Sequence, residues 1–107
     1  MMIEIKNTIK KIIALLELGG ERTFVSALKS VLNENEESIL QYLESNEIWG
    51  GSGSMADQSL IENKELRSKL TELLIELGTY QQKEGRVNVR TESWMQAFRS
   101  WKEQGII

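Results

Sequence analysis

The chain contains no cysteine, no histidine and no proline in 107 residues. Without cysteine there are no disulfides, no thiolate nucleophile and no thiolate-bound zinc. Without histidine the side chain most used as a general base near neutral pH is missing as well. Much enzyme chemistry is thereby closed off, and the expectation is a protein that is not an enzyme and carries neither metal nor cofactor. The lack of proline leaves glycine and asparagine to punctuate the chain. No apolar run approaches the roughly 18 residues that span a bilayer, since the most apolar window, 12–18, is interrupted by Glu17. The N-terminus also lacks a small-residue cleavage pattern, so the expected location is the cytoplasm, with no membrane contact.

Positive charge is absent from one long stretch. Residues 33–63 hold seven carboxylates (Glu34, Glu36, Glu37, Glu44, Glu47, Asp57 and Glu62) and no Lys or Arg. The flanks, 1–32 and 64–107, are each +2, so this stretch alone gives the chain its net charge of −3. A one-signed segment of this kind suits a surface that meets something basic. An acidic protein is repelled by phosphate backbones, so direct nucleic-acid binding is not expected.

What the chain does have is helical periodicity. Hydrophobic residues make up 40% and charged residues 27%, enough for one core but not two. Ile5, Ile9, Ile12, Ile13 and Leu16 recur at three and four residues and predict a helix over 3–18, stopped at Gly19-Gly20. Phe24, Leu28, Val31 and Leu32 predict a second over 22–32. Asn33 with Glu36 resembles a capping box and opens a third over 34–47, whose first turn takes Glu34, Glu36 and Glu37 against the helix dipole. Asn63 caps a long helix over 63–84, with Leu66, Leu70, Leu73, Leu74, Leu77 and Tyr80 inward. Gly78 within it implies close approach of a neighbour or an early end. The alternating Arg86–Arg90 segment suggests a short extended piece, and Trp94, Met95, Phe98 and Trp101 share one face of a last helix over 91–104. The fold expected is all-α: a single compact domain of about five helices, with a Gly/Ser-rich loop between the third and fourth.

That loop, Gly50-Gly51-Ser52-Gly53-Ser54, resembles a phosphate-cradling loop only superficially. Met55-Ala56 stands where a Lys-Ser/Thr pair belongs, and the flanking carboxylates would repel phosphate. The run also has the composition of a flexible fusion joint, an alternative that composition alone leaves open. The aromatic stripe of 91–104, bordered by Arg90, Arg99 and Lys102, has the makings of a stacking platform, but a single helical stripe points to core packing. Glu44 and Glu47 share a face at three-residue spacing, without the partners that a catalytic pair or a calcium loop needs.

In size, acidity and helical character the chain resembles the immunity proteins that bacteria pair with contact-dependent growth-inhibition toxins. The Gly50–Asp57 segment also resembles a short motif of an uncharacterised family of small bacterial proteins. The immunity resemblance implies an inhibitor that neutralises a basic toxin domain, a nuclease, by covering its substrate cleft or a neighbouring surface. The expected contacts are Glu34, Glu36, Glu37, Glu44, Glu47, Asp57 and Glu62 as charges, with Tyr42 and Trp49 as aromatic anchors. The alternative is a helical adaptor or antitoxin-like homodimer built on the C-terminal aromatic helix.

Overall fold

The computed structural model describes residues 1–106, and among these all regular structure is helical. The frame is a pair of antiparallel helices, α1 (Met2–Leu18) and α6 (Lys64–Glu84), joined through four shorter segments: α2 (Val25–Val31), α3 (Glu36–Glu44), α4 (Asn46–Trp49) and α5 (Met55–Gln58). The last helix, α7 (Thr91–Glu103), returns onto α6. Thr8 reaches Glu76 at one end of the α1–α6 seam (3.3 Å), while Gly19 approaches Leu66 at the other. Ile5, Ile9, Ile12 and Leu16 of α1 and Leu70, Leu74 and Leu77 of α6 are fully buried. Each contributes about 1.5–3 kcal/mol by leaving water, whereas one hydrogen bond nets about 1 kcal/mol. Apolar burial therefore holds the seam.

Helix ends follow the punctuation read from the sequence, with local shifts. The left-handed residue closing α1 is Gly20 (φ +74°), one later than Gly19, which stays right-handed. Gly20 N–H donates to the Glu17 carbonyl and Glu21 N–H to that of Leu16, satisfying two end carbonyls. Gly19 is constrained by packing, because a Cβ there would lie 2.4 Å from Leu60 Cδ2. The second helix begins at Val25, later than position 22. The third is capped by Asn35, whose side chain accepts from Ser38 N–H at 2.8 Å, and not by Asn33.

The segment expected as one helix over 34–47 is two. Ser45 is extended (φ −72°, ψ 170°), and its hydroxyl donates to the Tyr42 carbonyl while accepting from Glu47 N–H. Side-chain competition for backbone partners ends α3 and starts α4 at one residue. Glu44 and Glu47 thus fall on different helices and do not share a face.

The 50–54 loop connects α4 to α5 and is seated on the body of the protein. Ser54 is buried, its hydroxyl donating to the Gly50 carbonyl, which also accepts from Trp94 Nε1. Met55 and Ala56 lie in the core. Ser54 caps the following turn, its hydroxyl accepting from Asp57 N–H, while Asn63 caps α6 as expected.

No strand forms at 86–90. Gln81 is fully buried, and its amide donates to the carbonyls of Leu43 and Arg86 while accepting from Trp49 Nε1 at 2.9 Å. Asn88 donates to the Glu44 and Ser45 carbonyls. The segment spends its polar groups on the α3–α4 junction and has no neighbouring strand to pair with.

Candidate functional site: an acidic arc around α5

The seven acids of 33–63 do not act as one field. Arg86 takes two of them: its Nη atoms donate to both Glu37 oxygens at 2.9 Å and its Nε to Glu44 Oε1 at 2.5 Å. These hydrogen bonds, Glu37's first, raise the Arg86 pKa, and the same guanidinium lowers that of Glu37. Glu37 and Glu44 are therefore paired internally, because the left-handed turn at Gly85 brings Arg86 from the C-terminal flank onto them. Glu34 and Glu36 are exposed at the start of α3, with no ion-pair partner among the described residues.

Trp49 is also turned inward. It is fully buried with its indole N–H on Gln81, so it anchors α4 internally and offers no exposed ring face. Tyr42 is half-buried, and its hydroxyl donates to Glu47 Oε2 at 2.8 Å. Burial first, and then the Glu47 carboxylate, keep that phenol protonated well beyond its ordinary range.

The remaining three acids gather around the single turn of α5. Asp57 accepts from Gly53 N–H (3.0 Å) on one side and from Gln58 Nε2 (2.8 Å) on the other. Its pKa is lowered by the Gln58 bond and then the Gly53 bond. Gly53 lines a cleft of about 450 Å³ shared with Glu47, and Gln58 lines a second, about 290 Å³, shared with Glu62. The second cleft adds Glu21, a contact that charge counting missed because it lies in the basic flank. Its position just past the Gly20 stop was the available signal, since the chain turns there towards α5. Glu21 Oε2 accepts from Leu60 N–H at 2.8 Å, and Leu60 holds a left-handed backbone (φ +58°), costly for a branched side chain.

No Lys or Arg lines either of these clefts. The α1–α2 hollow, by contrast, carries Arg22 and Lys29, and the α1–α6 groove carries Lys11 and Lys69. A cation close to Asp57 and Glu21 is Arg67, which is buried. It donates to the Ser59 (2.9 Å) and Ala56 (2.5 Å) carbonyls, and its guanidinium lies 5.5 Å from the centre of the Phe98 ring. Burial lowers its pKa against the opposing pull of Asp57 and Glu21. Arg67 thus ties α5 to α6 and α7 without closing an ion pair on the arc. Among the described residues no three His, Cys, Asp or Glu side chains converge as metal ligands. What the arrangement can do is accept cationic groups into two concave, acid-lined sites on either side of α5.

On α7, Met95 and Phe98 are fully buried, and Trp94 and Trp101 are half-buried against the core. The three rings follow one another at 5.5 and 5.8 Å, so the stripe packs as the single-face reading expects. No helix among the described residues is long and apolar enough to cross a membrane. No family model matches the chain, and neither a curated protein nor a solved structure matches it.

Proposed function

We propose that the chain is a non-enzymatic binding protein that presents the arc of Glu21, Glu47, Asp57 and Glu62 to a basic partner protein. The finer reading, which follows from the resemblance in size, acidity and helical character, is a cytoplasmic immunity protein that neutralises the nuclease domain of a cognate toxin. The observation that supports it is the pair of acid-lined clefts without a cation in their walls, on a surface where other hollows mix both signs. Such a surface accelerates encounter with a positive cleft and fixes its orientation, with association rates reaching about 10⁸–10⁹ M⁻¹s⁻¹ at low salt. The adaptor or homodimer reading draws less support, because α7 spends its apolar face on α6.

The test is affinity for the protein encoded in the adjacent reading frame, measured across a salt series. Reversal of two arc charges, E47K with E62K, is expected to weaken the complex by about ten- to a hundredfold and flatten its salt dependence. The matched reversal E34K with E36K, outside the arc, is expected to cost clearly less. Equal losses from both pairs, or none from either, would remove the arc from the interface.

A further inference from the structure

We propose that the cleft between the start of α2, α4 and the 50–54 loop is a socket for a lysine side chain of the partner. This deepens the acidic-arc reading and rests on it. Glu47 is the sole ionised side chain in the lining. Its carboxylate is held from one side, because the Tyr42 hydroxyl occupies Oε2 at 2.8 Å, while Oε1 has no partner among the described residues. Thr23 and Ser52, both exposed and both free of side-chain hydrogen bonds, border the same cleft. Phe24 supplies an apolar wall. Arg90 lies nearby against Gly51, outside the lining, and Arg22 precedes Thr23 without lining the cleft.

The chemistry of these groups discriminates between the two basic side chains. A guanidinium binds a carboxylate best through two parallel bonds, which need both oxygens in one plane. Tyr42 already takes one lone pair of Oε2, so a fork across both oxygens must share that atom with the phenol. An ammonium is a compact charge with three donors and no acceptor, and it suits a cleft that offers one free carboxylate oxygen and, elsewhere in its lining, two hydroxyls. The Phe24 ring covers the methylene stem that leads to it.

The experiment is an amide-resolved NMR titration of the intact chain with N-acetyl-lysine methylamide, then with the arginine counterpart and with sodium chloride at equal ionic strength. The expected result is saturable shifts at Thr23, Ser52 and Gly53 with the lysine probe, binding about threefold or more weaker with the arginine probe, and none with salt. E47Q, an exposed substitution that leaves the core intact, should abolish the lysine response. Y42F frees Oε2 and should narrow the lysine–arginine difference. Shifts that do not saturate, that match those from salt, that favour arginine or that survive E47Q would overturn the socket. Failure of the socket alone would leave the E47K/E62K sensitivity of the large complex intact. Failure of the arc reading would appear as no such sensitivity, even with the lysine probe bound.

Discussion

At the scale of single residues, several positions do work that their type does not announce. Gly78 sits inside α6, where glycine is about 1 kcal/mol worse than alanine. A Cβ there would lie 2.4 Å from Met95 Sδ, 3.2 Å from its Cγ and 3.3 Å from its Cε, so the whole methionine lies across the glycine. Met95 is fully buried and cannot swing clear without moving its neighbours. Overpacking of this kind costs about 1–3 kcal/mol, which exceeds the gain in helix propensity. G78A is therefore expected to destabilise the protein by about 1 kcal/mol in urea unfolding, and to become stabilising in an M95A background, where the space has opened. A G78A variant that gains stability in the parent would show that α6 and α7 are not in close contact there. The same scale holds the correction at Trp49. An aromatic beside a glycine-rich loop invites an interface reading, but a buried indole N–H must find an acceptor, and Gln81 supplies it.

Elements are decided by which polar side chain reaches the backbone first. Two asparagines, Asn33 and Asn35, precede the acidic start of α3, and both are acceptable cap residues by type. Only Asn35 places its carbonyl on a helix-start N–H, that of Ser38, while the Asn33 amide makes a long contact to the Lys29 carbonyl at 3.5 Å. N35A and N63A are each expected to cost about 1 kcal/mol, while N33A should stay within about 0.5 kcal/mol of the parent. Urea midpoints for the three variants check the assignment, and a loss at N33A equal to that at N35A would contradict it. The 50–54 loop follows the same logic, since Ser54 and Asp57 bond locally in a capping arrangement that composition alone cannot distinguish from a flexible joint.

For the whole molecule the consequence is electrostatic. Glu37 and Asp57 both titrate below their ordinary values, 4.5 for a glutamate and 3.8 for an aspartate, because Arg86 and the Gln58 and Gly53 donors favour their charged forms. A carboxylate whose folded pKa is depressed contributes stability that is fully present above the unfolded value and is lost as pH falls through the folded one. Stability is therefore expected to hold steady from neutral pH towards 4.5 and to decline below it as these two groups take up protons. The variants E37Q and D57N should each start lower at neutral pH and lose less on acidification, read from urea midpoints at neutral and acid pH. An acid limb unchanged in the double variant would mean that neither bond survives in solution.

Helicity, the three longest helices α1, α6 and α7 with their inward stripes, and the glycine stops could all be read from the chain alone. Each depends on residues within one or two turns of each other, and the helical period records their phase directly. Gly78 could be read as either a close approach or an early end, and only its packing against Met95 decided for the first. Which anions remain free could not be read this way. Arg86 meets Glu37 and Glu44 across 49 and 42 residues, and Glu21 meets Leu60 across 39. Coulomb energy depends on separation in space, so a tally of charge along the chain assigns a sign to a segment but cannot say which cation folds back upon it. Tertiary packing made that choice, drawing two acids of the central stretch into an internal pairing and recruiting Glu21 from the flank to complete the arc around α5.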